Sequence, residues 1–255
     1  MTNRSSNILL KTDQEIEIML EGGKKLAKVK NALKNAVKIG GNAAEIDELA
    51  EKLIKEEGGK PSFKMVPNYF WTTCVNTNQG IVHGIPHPNI IFKNGDVVSV
   101  DVGMFYKGFH TDTSFSLGLE VSTDISKFLS VGENALKSAI SKAVAGNYVY
   151  DISAETERIL KSANLHPVRD LVGHGVGKDL HEAPEIPCFT YGVRENSPRI
   201  EIGAVLAIEI MYTYGSGELV LENDGWTIST RDDKISALFE DTIAVTKKGP
   251  LLLTA

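Results

Sequence analysis

Cysteine is scarce in this chain of 255 residues: only Cys74 and Cys188 occur, and they form no CxxC pair. That argues against a disulfide framework or a thiolate zinc site and fits a reducing compartment. There is no Lys/Arg block, and the formal net charge is -6, so the basic face that a general nucleic-acid or membrane-surface binder needs is missing. No apolar run approaches the length of a bilayer span, and the opening MTNRSSNILLKTDQEIEIML lacks the apolar core of a secretion signal. We therefore expect a cytoplasmic protein that binds neither membrane nor nucleic acid. What remains is an ordinary globular balance, 42% hydrophobic and 24% charged, in a chain long enough for one large core or two modest ones.

Thr12-Asp13-Gln14-Glu15 is a capping-box pattern, and the apolar residues after it (Ile16, Met19, Leu26, Val29, Leu33, Val37) keep helical spacing up to Gly40-Gly41. Further helices are predicted over 43–57, 124–145 and 153–164. Between and after these pairs, β-branched runs broken by Gly, Pro and Asn predict strands over 72–76, 97–106, 113–118, 205–212, 226–230 and 238–246. Helices then strands, twice over, predicts an α+β fold with helices on one face of an antiparallel sheet. No linker or low-complexity segment divides the halves, so 1–255 is expected to be a single domain.

Against that scaffold stand four carboxylates in apolar surroundings: Asp101 in VSVDVGM, Asp112 just after the following turn, Glu209 in LAIEIMY and Glu240 in ALFEDTIAV. No Lys or Arg lies beside Asp101, Glu209 or Glu240 in these runs. A buried charge costs several kcal/mol or more unless it is paired or binds a metal. A hairpin at Tyr106-Lys107-Gly108 would bring Asp101 and Asp112 together, where bare carboxylates repel and a dication would relieve them. Taken alone, Asp101 also fits a strand-end residue capped by backbone donors. The halves echo each other as well. Residues 98–108 align without gaps on 206–216, placing Asp101 on Glu209, and 112–117 align on 240–245, placing Asp112 on Glu240. A pseudo-twofold fold would bring all four acids to one centre.

Histidine completes the set. His174 and His181 lie in VGHGVGKDLHEAPEIP, where glycines at 173, 175 and 177 are expected to let backbone approach a ligand or metal. His83 in VHGIPHP has the same His-Gly character, whereas His87, His110 and His166 read as turn or surface residues. One imidazole with four carboxylates is a hard, oxygen-rich donor set that suits a pair of first-row divalent ions better than a structural zinc. Such a pair supports hydrolysis, most naturally of an amide or ester.

Taken together, HGIP (83–86), SVDVGMFYKGFHTDTS (99–114), GHGVGKDLHEAPEIP (173–187), AIEIM (207–211) and FEDTIAVT (239–246) resemble the methionine aminopeptidases, in order and over nearly the whole chain. The resemblance implies the pseudo-symmetric pita-bread fold and removal of N-terminal methionine from nascent polypeptides with a small second residue. It implies two divalent ions (Mn, Fe(II), Co or Zn), with Asp112 and Glu240 bridging them, Asp101 completing one site, and His174 and Glu209 the other. Glu209 would also act as general base, His181 would hydrogen-bond the scissile peptide or its tetrahedral intermediate, and His83 would orient the substrate. Phe63, Tyr69, Cys74, Leu180 and Trp226, with Val66, fall where the family's methionine pocket lies, although such residues also read as core. The 31 residues from Glu209 to Glu240 leave no room for the helical insertion of type II enzymes, and no Cys-rich extension precedes the motifs, so a type I enzyme is expected. A monomer is expected, working on nascent N-termini, with the ribosome as a candidate partner. The chain's own start, Met1-Thr2, would itself suit such an enzyme.

Some positions depart from the family pattern: His87 follows HGIP where Asp is usual, Ile210 stands for the Pro after Glu209, Leu180 for an aromatic, and Met65-Val66-Pro67 for Gly-Tyr-Pro. Three alternatives follow: a proline-specific aminopeptidase of the same fold, a non-catalytic binding protein, or a divergent relative with metals but poor turnover. The first usually carries an extra N-terminal domain, and only about 80 residues precede His83. The second would have lost metal ligands that this chain retains.

Overall fold

The computed structural model describes residues 8–255, so Met1-Thr2 lies outside the described residues. In chain order the elements are α1 (Asp13–Ala36), α2 (Ala43–Glu56), β1 (Lys60–Pro61), β2 (Thr73–Thr77), β3 (Gly80–Val82), β4 (Val97–Tyr106) and β5 (Phe109–Gly118). Then come α3 (Thr123–Lys142), α4 (Val149–Ser162), β6 (His166–Pro167), β7 (Val172–Gly175), β8 (Glu182–Pro187), β9 (Val205–Thr213), β10 (Leu219–Leu221), β11 (Ile228–Thr230), β12 (Ser236–Thr246) and β13 (Gly249–Leu252). The helix-then-strand order repeats as expected, and the main sheet is antiparallel, running β1-β4-β5-β12-β9-β7-β8.

Local chemistry sets the helix starts. The Thr12 hydroxyl accepts from the Glu15 amide while the Glu15 carboxylate accepts from the Thr12 amide, and Asn42 and Glu45 repeat the device for α2. The fourth helix begins four residues before the predicted 153, because the Asp151 carboxylate caps the Tyr148 amide at 2.8 Å and Arg194 grips Asp151 through two nitrogens at 2.6 Å. Ser153 thus lies inside α4 and is buried. The third helix stops at Lys142, three residues short of the predicted end, where Ala143 leaves helical backbone.

Strand alternation divides the sheet into a helix face and a site face. Val98, Val100, Val102 and Met104 of β4 pack with Phe115 of β5 against α1 and α2. Ile208, Ile210 and Tyr212 of β9 pack with Phe239 and Ile243 of β12 against α3 and α4. The intervening residues Asp101, Glu209 and Glu240 therefore point to the other face. Ile210, the departure from the family's proline, is 1% exposed on the helix side and pairs with Phe239 in the ladder, so it serves the core.

The register tests the internal echo. Across the central β5–β12 seam Glu240 faces Ser114 and Asp241 faces Thr113. A twofold relating Asp112 to Glu240 then requires Asp112 to face Thr242, and the Thr242 hydroxyl does bond the Asp112 amide (2.9 Å) and carbonyl (2.7 Å). The outer ladders break the symmetry by two residues. Asp101 faces Ser114 and Asp112 faces Gly103, whereas Glu209 faces Glu240 directly.

Candidate metal centre and its pocket

The site is a cavity of about 150 Å³ on the sheet face away from the helices. Asp101, Asp112, His174, Glu209, Glu240, His83, His181, Phe63, Val66, Tyr69, Cys74, Leu180 and Trp226 all line it, so every site residue expected from the sequence reaches one place. Val82 lines it too and was not anticipated, although it directly precedes His83.

Donor atoms of Asp112, His174 and Glu240 lie within 4.8 Å of one another, all three residues buried. The His174 Nε2 lies 3.8 Å from Glu209 Oε1 and 4.0 Å from Glu240 Oε1, too far for hydrogen bonds but within the span of one ion held at ~2.0–2.2 Å by each donor. The other ring nitrogen, Nδ1, sits 2.9 Å from the Gly175 carbonyl, to which it donates, leaving the Nε2 lone pair directed at the carboxylates. On the other side Asp101 and Asp112 line the cavity together, and burial, helped by the charge of Asp112, raises the Asp101 carboxyl.

Electrostatics make the same point. Burial, followed by the neighbouring acids, pushes Asp101 and Glu240 well above the usual carboxylate range. Burial lifts Asp112 to about 7, and burial with the charge of Asp112 lifts Glu209 to about 8. Burial, with His181 nearby, lowers His174 to about 3, and the same causes lower His83. Asp101 Oδ1 and Glu240 Oε1 are buried without a hydrogen-bond partner. Unpartnered carboxylate oxygens beside a neutral imidazole form a donor set that fits a divalent cation and is strained without one.

Above this cluster His181 packs edge-to-face on His174 with ring centroids 4.5 Å apart. His83 adopts a left-handed backbone (φ 57°) and meets the Trp226 indole edge-on at 6.4 Å. The apolar end is built from Phe63, Tyr69, Cys74 and Leu180, flanked by Val66, Trp71 and Trp226. Tyr69 donates to the Thr73 carbonyl at 2.9 Å and lies 3.2 Å from the Cys74 sulfur, which fixes its ring as a wall. The segment carrying Cys74 is tied down by Asp47 of α2, whose Oδ1 accepts from the Thr72 and Thr73 amides and the Thr73 hydroxyl at 2.8–2.9 Å. Asp47 was not anticipated, since it sits among other charges in a helix.

Two expectations need correction. His110 is no turn or surface residue: it lies in β5, is 4% exposed, bonds Ser62 Oγ at 2.9 Å, and burial pulls its pKa down to about 4. The glycines around His174 serve neighbouring protein rather than a ligand. A Cβ at Gly175 would sit 2.1 Å from the Ala183 carbonyl oxygen, and one at Gly173 would sit 2.8 Å from that of Ala207. His87 and His166 are exposed, as expected.

A donor set of this kind, on this fold, defines a metallopeptidase, and the profile of metallopeptidase family M24 matches residues 17–247; the chain belongs to that family. Among its relatives, the methionine aminopeptidase of Clostridium perfringens is 38% identical over 97% of this chain and 98% of its own length. The Bacillus subtilis methionine aminopeptidase 1 is 39% identical over 97% and 99%. The crystal structure of methionine aminopeptidase from Thermotoga maritima superposes with a TM-score of 0.94 at 35% identity, covering 97% of this chain and 99% of that one. Prolidase from Pyrococcus furiosus shares the fold (TM-score 0.73, 22% identity), but this chain spans only 65% of it. The fold is the pita-bread arrangement of these proteins.

Proposed function

We propose that this protein removes the N-terminal methionine from polypeptides whose second residue is small, through a centre of two divalent ions held by Asp101, Asp112, His174, Glu209 and Glu240. The observation that carries this reading is that the carboxylate cluster, with unpartnered oxygens on Asp101 and Glu240, shares one cavity with an apolar wall of Phe63, Tyr69, Cys74 and Leu180, whose softness suits an unbranched thioether. Bound divalent ions supply the Lewis acidity that peptide hydrolysis needs at neutral pH.

The chain's own groups do the rest. The pocket holds the methionine side chain by apolar burial, which is non-directional and so tolerates Leu180 and Val66 in place of aromatics. Asp112 and Glu240, on the two strands of the β5–β12 seam and two residues apart in register, would hold the ions between them, with Asp101 and with His174 and Glu209 as the further ligands. Glu209, which lines the cavity beside His174, takes the proton of the attacking water, a general-base role open to a carboxylate at that place. His181 donates to the carbonyl oxygen as charge develops on it. His83, held neutral by burial, orients the peptide beside Trp226. We further propose that residues 1–255 form one catalytic domain, monomeric and cytoplasmic, that meets its substrates as nascent chains at the ribosome.

The test is release of amino acid from Met-Ala-Ser, Leu-Ala-Ser and Ala-Pro-Ala by protein reconstituted in turn with Mn, Co, Fe(II) and Zn. Metal-dependent release of methionine from Met-Ala-Ser alone is the expected result. Cleavage of Ala-Pro-Ala instead would assign the proline-specific branch, and silence with every metal would contradict catalysis.

A further inference from the structure

The two halves meet along β5 and β12, and this seam carries Asp112 on one strand and Glu240 on the other. Its ladder is short. Among the described residues, two pairs are in register across it, against ten across β4–β5 and nine across β9–β12. Side chains do the joining instead. Ser116 Oγ donates to the Leu238 carbonyl (2.8 Å) and accepts from the Leu238 amide (3.0 Å). The Thr242 hydroxyl closes the same ring on Asp112, and Thr113 Oγ1 donates to the Glu240 carbonyl at 2.8 Å.

Into this seam, from the helix face, reaches Lys30 of α1, 8% exposed. Its Nζ lies 2.7 Å from Asp241 Oδ1 and 2.9 Å from Thr113 Oγ1, gripping one residue of each strand. The same Asp241 oxygen accepts from Thr254 Oγ1 at 2.8 Å, and Thr254 Oγ1 accepts the Thr242 amide at 3.1 Å. Asp241 and Thr113 each neighbour a residue we place in the metal centre, and they face each other in register.

We infer that Lys30 is a positioning residue for the metal centre: by clamping Asp241 to Thr113 it fixes the β5–β12 seam and with it the separation of the Asp112 and Glu240 carboxylates. This rests on the ligand set proposed above. Without Lys30, a half-buried Asp241 carboxylate is left without its cation beside Glu240, and a seam with little ladder of its own can part to hydrate it. Outer residues that orient ligands in this way are typically worth about 10–100-fold in metal affinity.

The experiment is calorimetric titration of Mn(II) into metal-free wild type, Lys30→Met, Lys30→Arg and Asp241→Asn, at a temperature where circular dichroism shows each folded. Lys25→Met is the control, since Lys25 also anchors α1, through the Glu57 carbonyl at 2.8 Å, but away from the seam. The inference predicts Mn binding about 10–100-fold weaker in Lys30→Met, also weakened in Asp241→Asn, largely kept in Lys30→Arg, and unchanged in Lys25→Met. Wild-type affinity in folded Lys30→Met and Asp241→Asn, or an equal loss in Lys25→Met, would overturn it. Should Lys30→Met fail to fold, Asp241→Asn alone decides. A wild type that binds no Mn would overturn the ligand set itself, and this role with it.

Discussion

Glu209 and Glu240 face each other directly across the β9–β12 ladder, both on the sheet face away from the helices. Like charges directly opposite are destabilising in a sheet, and the His174 imidazole beside them, 3.8 and 4.0 Å away, is held neutral by burial. Such a pair persists either by staying protonated or by sharing a cation, and each state makes its own prediction.

Without metal, the protein should lose stability as pH rises. Burial raises Asp112 to about 7 and Glu209 to about 8 in the folded protein, against ordinary values of 3.8 and 4.5, so between about pH 4 and 8 the folded state holds more protons than the unfolded one. Stability conferred by these raised groups is full below pH 4 and declines through pH 7–8. Melting temperatures of chelated protein from pH 5.5 to 9 should fall steadily, and saturating Mn should abolish the trend. A flat profile without metal would contradict the buried, metal-free cluster.

Asp101→Ala or Glu240→Ala should empty at least one metal position and reduce methionine release to background. Metal content by plasma emission, measured beside the rate, checks this. Near-wild-type rates in either variant would sink the dinuclear assignment.

His181→Ala should cost turnover rather than metal. A donor to a developing oxyanion is worth roughly 10²–10³ in kcat, and metal stoichiometry should be unchanged. Equal kinetics would leave His181 a packing role against His174.

Trp226→Ala should raise KM for Met-Ala-Ser by about tenfold, the scale of losing 1–2 kcal/mol of apolar contact, because the indole braces both Tyr69 (5.0 Å) and His83 (6.4 Å). Steady-state kinetics would show this, and an unchanged KM would remove Trp226 from the pocket wall.

The sequence made the carboxylates legible because each interrupts an apolar strand whose alternation assigns it a face; the predicted strand over 97–106 is the observed β4. The echo between the halves was legible for the same reason, but the two-residue offset that sets Glu209 against Glu240 was not, because it arises from pairing between strands. The strands β7 and β8 escaped notice: Gly173 and Gly175 make up half of one, Pro184 and Pro187 interrupt the other, and their glycines answer to carbonyls distant in sequence. His110 looked like part of a turn because β5 begins four residues earlier than its β-branched run. Asp47 and Lys30 carried no signal, since a charged residue in an amphipathic helix ordinarily faces water.

The most direct test follows metal binding and methionine release in a single titration. Metal-free protein is titrated with Mn(II) while binding is measured by calorimetry and release from Met-Ala-Ser is measured in parallel, with Glu240→Ala alongside. Activity should rise from zero with site occupancy in the wild type and stay at zero in the variant. Methionine release by fully chelated protein, or by Glu240→Ala at the wild-type rate, would contradict the claim that this carboxylate centre is where the peptide bond is broken.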